Sequence, residues 1–193
     1  MNHSLSNTEL QFVTDSEILF TKNRIISKVY DLFGAVAHNY QMQVDELSPF
    51  AIETAEAKIS KGENYNGLPY VMLDYPRNFS KENSFSIRSF FWWGNFFSIT
   101  IHLSGKYQQQ FSEKIQQAIS KKVFNGWFIC TSDNQWEHHF ERSNYTIITD
   151  INIADIATLP FIKIAKKIPL KEWDKVYEFY TKNCELLLEI LRN

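Results

Sequence analysis

The chain has 193 residues, of which 44% are hydrophobic, 22% are charged and 16% are aromatic, and its formal net charge is −2. This length predicts a single domain, residues 1–193, that is large enough to bury a sizeable core. The slightly acidic balance excludes the strongly basic surface that general nucleic-acid binding requires. The sequence has no secretory leader and no run of about 18 apolar residues, so we expect a cytoplasmic protein that engages no membrane.

The N-terminal part of the sequence predicts two helices after a frayed start. Residues 1–13 are polar and aperiodic, so we expect them to be frayed or extended. Apolar residues recur at helical spacing over 22–40, and capping-box spacing before this segment allows the helix to begin near residue 15. A serine-proline pair then predicts a second helix over 49–61, which ends at Gly62.

The strongest local signal is a β-hairpin over 84–104. Aromatic and β-branched runs flank a Gly-Asn dipeptide at 94–95, which is typical of a two-residue hairpin turn. A two-residue turn fixes the register of the two strands. With this register, Arg88 and Trp92 lie on a largely apolar face, and His102 lies on the opposite face among small polar and aromatic residues.

The remaining elements indicate an α+β fold with a mainly antiparallel sheet built around the hairpin. A strand over 70–75 precedes the hairpin, and an amphipathic helix over 106–121 follows it. Further strands are predicted over 123–131, 136–140 and 161–168. Residues 142–159 carry no pattern that decides between strand, loop and short helix. A long closing helix through 173–191 holds one apolar stripe, and we expect it to pack on the sheet with the other helices.

Arg88 is the most informative candidate for a site. A guanidinium in the middle of an aromatic strand needs a carboxylate, carbonyl groups or a ring face. Asp74 on the neighbouring predicted strand offers such a carboxylate. The commoner outcomes are a structural ion pair or a side chain at the exposed edge. The functional alternative is that Arg88 anchors an anionic group of a ligand lying against Trp92.

The histidines offer a second set of candidates. His102 is predicted to lie beside hydroxyl side chains, where an imidazole can act as a general base or bind a metal, although a strand histidine is more often simply hydrogen-bonded. His138 and His139 are adjacent, so on a strand they point to opposite faces. Their spacing is not that of a metal site, and we predict neither a metal nor a cofactor.

Lysines gather near the C-terminal strand and the start of the closing helix. They are Lys163, Lys166, Lys167, Lys171 and Lys175. Acidic residues interrupt the cluster, so the sequence predicts a solvated surface and not a phosphate-binding track.

Two functions fit these patterns, and the sequence contains none of the common nucleophile, zinc or phosphate-loop motifs. The first is a binding or protein-interaction domain whose partner is a small molecule or a protein, including a second copy of the chain. Its predicted binding residues are Asp74, Tyr75, Arg88, Trp92 and Trp93. The alternative is an enzyme that uses His102 as acid or base, with Arg88 or Asp74 orienting the substrate. An enzyme needs these groups in a concave site, whereas an interaction domain exposes aromatic side chains on a convex or edge surface.

Overall fold

The computed structural model describes residues 3–46, 55–148 and 156–192, and it has the predicted α+β architecture with an antiparallel sheet. Within this described part, the helices are α1 (Asn7–Thr14), α2 (Ser16–Glu46), α3 (Lys106–Ser120) and α4 (Val176–Arg192). The strands are β1 (Lys58–Tyr65), β2 (Leu68–Phe79), β3 (Ser84–Trp92), β4 (Phe96–Ser104), β5 (Phe128–Cys130), β6 (Tyr145–Ile147) and β7 (Phe161–Pro169). Their order in the sheet is β1-β2-β3-β4-β7-β5-β6. None of the helices in the described ranges is both long and apolar enough to cross a membrane.

The N-terminal segment is more helical than its sequence predicts. A reciprocal capping box starts α1, because the Glu9 backbone N–H donates to Ser6 Oγ (3.3 Å) and the Ser6 N–H donates to Glu9 Oε2 (2.7 Å). This arrangement satisfies two N–H groups that the first turn of a helix would otherwise leave without partners. The next helix, α2, extends the predicted 22–40 segment in both directions.

Three other predicted elements are corrected. The second helix predicted over 49–61 is wrong for residues 58–61, which pair with β2 as part of β1, and residues 49–54 lie outside the described ranges. The strand predicted over 123–131 is limited to β5, because turns occupy the residues before it. The strand predicted over 136–140 is absent from this described segment, and β5 pairs instead with β6.

The turn of the central hairpin has three residues, Trp93 to Asn95, and not two. The Trp93 backbone N–H donates to the carbonyl oxygen of Pro69 on β2 (3.0 Å), which removes Trp93 from the β3–β4 ladder. Gly94 adopts a left-handed conformation (φ 71°), which a residue without a Cβ does at little cost. A glycine in this conformation is a common feature of three-residue hairpin loops.

This turn shifts the pairing of the two strands by one residue from the predicted register. Arg88 lies opposite Thr100, and Ser86 lies opposite His102. A slip of one residue moves the whole side-chain set of one strand to the other face. Arg88, Trp92 and His102 therefore share one face of the hairpin, whereas the sequence analysis placed His102 on the face opposite Arg88.

Helices α2, α3 and α4 cover one face of the sheet, which we call the helix face. Its fully buried side chains include Leu73, Ile87, Phe97, Ile99, Ile101 and Ile164. Helix α2 meets this face with residues three or four apart, from Val29 through Phe33 and Val36 to Tyr40. The helix face therefore follows the apolar periodicity of the sequence.

The opposite face of the sheet is covered by a segment without regular secondary structure. This segment, residues 131–144, connects β5 to β6, and we call it the strap. The strap packs against the aromatic side chains at both sides of the face, because the Phe140 ring stacks on Tyr145 (4.7 Å between centroids) and meets Phe96 edge-on (5.0 Å). The sheet surface beneath it is called the strap face.

Candidate functional site

Four ionisable side chains lie at the centre of the strap face. The sheet register pairs Asp74 with Arg88 and His102 with Lys163. Asp74 is 7% exposed, His102 is 3% exposed and Lys163 is 2% exposed. Removing charge from water to this degree is costly unless each group finds a partner.

Asp74 and Arg88 form a bidentate ion pair, so the pairing suggested by the sequence is confirmed. Arg88 Nε donates to Asp74 Oδ1 (2.7 Å) and Arg88 Nη2 donates to Oδ2 (3.0 Å). Ser86 Oγ donates to the same carboxylate (3.0 Å), and Arg88 Nη1 lies 3.3 Å from His138 Nε2. A fork-to-fork pair of this kind is a strong, directional contact. The pair occupies both groups that the sequence offered for orienting a ligand.

His102 is held against the strap. Its Nε2 lies 2.7 Å from Gln135 Oε1, and because an amide oxygen only accepts, Nε2 carries the hydrogen. The pKa of His102 is lowered to about 4, chiefly by burial; the Gln135 hydrogen bond opposes this shift, and the nearby charges of Lys163 and Arg88 add to it. The imidazole is neutral at neutral pH and is a weak base there, since efficient general bases have a pKa near the working pH.

Lys163 binds the strap backbone from below. Its Nζ donates to the carbonyl oxygens of Gln135 (3.0 Å) and Glu137. Burial lowers the pKa of Lys163 to about 8. The prediction that the lysine cluster is a solvated surface is therefore wrong for Lys163, whose ammonium fastens two carbonyl groups of the strap.

Tyr65 on β1 fastens the same part of the strap. Its hydroxyl oxygen accepts from the backbone N–H groups of His138 (2.7 Å) and His139 (3.0 Å) and donates to Glu137 Oε2 (3.0 Å). Burial raises the pKa of Tyr65 to about 12, so the hydroxyl keeps its proton. Lys163 and Tyr65 together satisfy backbone groups that the irregular strap cannot pair within itself.

The other predicted binding residues do not converge with these groups. Trp92 is buried on the strap face, where its Nε1 donates to the Tyr65 carbonyl oxygen (3.1 Å). Tyr75 is buried on the helix face, and Trp93 packs edge-on against Phe91 (6.2 Å) at the margin of the same core. The five predicted binding residues are therefore divided between the two faces of the sheet.

A polar groove opens at the end of the hairpin beside the strap. Its volume is about 450 Å³, within the range of about 300–1,000 Å³ that small-molecule sites occupy. The hydroxyl and amide side chains in its wall belong to Ser80, Ser84, Ser104, Gln108, Gln109 and Gln135. Trp136 adds an indole ring that is 49% exposed, and Lys81 and Glu82 add one charge of each sign.

The groove is connected to the buried centre of the strap face. Gln135 lines the groove and accepts the hydrogen bond from His102, and the Trp136 ring meets the His102 ring edge-on (5.3 Å). Ser84 and Ser104 pair at the open end of β3 and β4, so the groove adjoins the aromatic hairpin. Its strap wall is thus fixed by the same contacts that hold His102 and Lys163.

Sequence analysis did not identify the residues that matter most for this arrangement. Lys163 carried one usable signal, because it alternates with Ile162 and Ile164 on a strand that the pattern clearly predicts. Gln135 lies in a polar stretch typical of an exposed turn, and Trp136 begins the strand predicted over 136–140, so only the fold brings these two residues to His102.

No group of three or more His, Cys, Asp or Glu residues within the described ranges is placed to hold a metal ion. Comparison with known proteins found no match, since no family model, no curated protein and no solved structure is significantly similar to the chain. The functional argument therefore depends on the geometry of the groove and the strap.

Proposed function

We propose that the chain is a non-catalytic domain that binds a small, neutral, hydroxyl-rich molecule, about the size of a mono- or disaccharide, in the groove beside the strap. The observation that carries the proposal is the half-exposed indole of Trp136 in a wall of hydroxyl and amide groups. A saccharide presents both a C–H face, which can lie on an indole, and hydroxyl groups, which pair with amides and hydroxyls.

The charge of the groove favours a neutral ligand. Among the described residues of its lining, Lys81 and Glu82 contribute opposite charges, and the remaining polar side chains are uncharged. An anionic or cationic ligand would bring a charge that this lining does not balance. Hydroxyl groups, by contrast, can both donate to and accept from serine and glutamine side chains.

The strap gives the groove a fixed wall. Gln135 is bonded by His102 through its side chain and by Lys163 through its backbone carbonyl, and Trp136 follows it directly. A wall ordered before the ligand arrives costs less entropy on binding than one that must be ordered by the ligand.

The enzyme alternative receives less support from the geometry. His102 is 3% exposed, and its pKa of about 4 makes it a weak base at neutral pH. Asp74 and Arg88 are engaged with each other and do not line the groove. The proposal retains the expectations from composition that the protein acts in the cytoplasm and engages neither nucleic acid nor a membrane.

Binding is tested by saturation-transfer NMR with a panel of neutral mono- and disaccharides at about 10 mM, tenfold above a millimolar dissociation constant. Sugar phosphates and amino acids serve as charged comparisons. We expect at least one neutral sugar to bind, and Trp136→Ala to weaken it by about tenfold or more, which corresponds to about 1.4 kcal/mol. Tyr177→Ala, which removes a 43% exposed ring on α4, should leave binding unchanged.

A second pair of variants is matched more closely. Gln109 lines the groove, whereas its neighbour Gln110 on α3 is exposed and does not. Gln109→Ala should weaken binding and Gln110→Ala should not. The proposal is wrong if no neutral sugar binds, if only charged compounds bind, or if binding is insensitive to Trp136→Ala.

A further inference from the structure

From an exposed apolar surface at the N-terminal end, we infer that the protein self-associates through α1 and the first turns of α2, with a second copy of the chain as the occupant. Every residue from His3 to Thr21 is exposed. The large apolar side chains in this region, each between 37% and 69% exposed, are Leu5, Leu10, Phe12, Val13, Ile18, Leu19 and Phe20. We call this surface the N-terminal patch.

The patch continues a helical stripe that is buried elsewhere in the same helix. Leu19, Ile26, Phe33 and Tyr40 follow one another at intervals of seven residues along α2, and so lie nearly above one another on one side. The last three are at most 8% exposed because the helix face covers them, whereas Leu19 is 60% exposed. An apolar stripe of this kind normally packs along its whole length.

The apolar stripe of α2 becomes exposed between Ile26 and Leu19, near the edge of the sheet. Lys22 pairs with Glu63 on β1, the edge strand, and every described residue before Lys22 is exposed. An isolated helix as short as α1 is not stable in water on propensity alone. An apolar partner for α1 and the start of α2 would supply the missing burial.

The size of the patch suits a homodimer. Its seven side chains leave about half their surface exposed, which amounts to on the order of 500 Å² of apolar area per copy, spread over more than one side of α1 and α2 because successive helical residues lie about 100° apart. A partner must therefore contact both helices to bury this area. A standard interface buries about 800 Å² per partner, and about 65% of a homodimer interface is apolar. The patch could therefore form the apolar centre of such an interface.

The charge of the segment favours a second copy over a lipid surface. Residues 3–21, which carry the patch, hold three acidic side chains, Glu9, Asp15 and Glu17, and no lysine or arginine. Helices that lie on membranes are usually rich in lysine and arginine, which this segment is not. The repulsion between the acidic side chains of two copies is weak, because these side chains are exposed and screened by salt, and Arg24 lies 3.6 Å from Glu17 in the same helix.

The inference is tested by measuring the mass of the full chain with light scattering and sedimentation between about 1 and 100 µM, a range that brackets micromolar affinity. We expect the mass to rise towards twice the 22.8 kDa of one chain. Leu19→Glu and, as a second variant, Val13→Glu should keep the protein monomeric over this range. Met42→Glu, at a 50% exposed position near the other end of α2, should still dimerise.

Three outcomes would overturn the inference. The first is a wild-type chain that remains monomeric at the highest concentration. The second is a Leu19→Glu variant that dimerises to the same extent as the wild type. The third is a Met42→Glu variant that loses the dimer to the same extent as Leu19→Glu. Flotation with neutral phosphatidylcholine vesicles is run in parallel. A monomer that binds these vesicles through Leu19 would assign the patch to a lipid surface instead of a second copy.

Discussion

The two faces of the sheet are held by different interactions. On the helix face, residues such as Ile87, Phe97 and Ile99 are fully buried among the aliphatic and aromatic side chains of three helices. On the strap face, the ion pair of Asp74 with Arg88 lies beneath a segment that has no helix or strand. The difference reflects what each cover needs, because a helix satisfies its own backbone whereas an irregular strap must find partners outside itself.

The two faces of the sheet are thus ordered by different interactions, apolar burial on the helix face and hydrogen bonds on the strap face. Apolar burial stabilises the helix face but is non-directional, so it does not by itself specify which backbone groups lie opposite one another. Hydrogen bonds from Lys163 and Tyr65 specify which backbone groups of the strap lie where. Burying charged groups on the strap face costs stability, but their hydrogen bonds define the positions of Gln135 and Trp136 at the groove.

The largest effect that distinguishes the faces is expected for Asp74→Ala. It leaves the Arg88 guanidinium, whose side chain is only 11% exposed, without its carboxylate, so we expect the free energy of unfolding to fall by about 3–5 kcal/mol in urea denaturation. The double variant Asp74→Ala with Arg88→Met should recover at least half of this loss, because the uncompensated charge is gone.

Leu73→Ala is the matched change on the helix face. Leu73 is the neighbour of Asp74 on β2 and is fully buried, so its truncation should cost about 2–5 kcal/mol through lost burial and a cavity. Combining Leu73→Ala with Arg88→Met should give no recovery. If Arg88→Met fails to rescue Asp74→Ala, the loss at Asp74 is one of packing and the two faces are not held differently.

The second effect is a dependence of stability on acid that belongs to the strap face. His102 has a pKa of about 4 in the folded chain, where burial lowers it, and an ordinary value of 6.5 in the unfolded chain. Between these values the unfolded state binds more protons, so stability falls as the pH drops from 6.5 to 4. The expected loss from this group is roughly 3 kcal/mol over that interval.

The contribution of His102 is isolated by substitution. His102→Gln should reduce the slope of unfolding free energy against pH by up to about 1.4 kcal/mol per pH unit between pH 4 and 6.5. His38→Gln, at an exposed position on α2, should leave the slope as in the wild type. Equal slopes for the wild type and His102→Gln would mean that the imidazole is not held neutral by its surroundings.

The helix face could be predicted from sequence much better than the strap face, and the reason is physical. Apolar periodicity reports directly on burial, so the core of α2, the mid-chain helix and the closing helix were recognisable. The register of the hairpin was not, because Gly-Asn occurs in both two- and three-residue hairpin loops and the turn here has three residues. The additional turn residue, Trp93, shifts the pairing by one and brings His102 onto the face of Arg88.

The strap and its groove were beyond sequence patterns for a related reason. Polar residues between 131 and 144 resemble a solvated turn until the sheet supplies their partners. The buried ammonium of Lys163 is bound by backbone carbonyl groups of the strap. Every residue has a backbone carbonyl, so no residue type in the sequence indicates this contact. By contrast, Asp74 was recognised as the partner of Arg88 because opposite charges on neighbouring strands form a pattern of residue types.

The smallest loss of unfolding free energy is expected for Tyr65→Phe, after those for Asp74→Ala and for protonation of His102. This change affects the strap locally, so it tests whether the strap opens independently of the helix face. The change removes the acceptor of the His138 and His139 N–H groups while the ring stays in place, so we expect a loss of about 2 kcal/mol, within the range for unsatisfied buried donors. Amide hydrogen exchange should accelerate at His138 and His139 but not at Ile99, which lies on the helix face. Tyr70→Phe removes a hydroxyl that bonds neither strap amide and should change neither quantity. Uniform acceleration at all three positions would mean that the strap and the helix face open together, and the strap would then be part of one cooperative unit with the core.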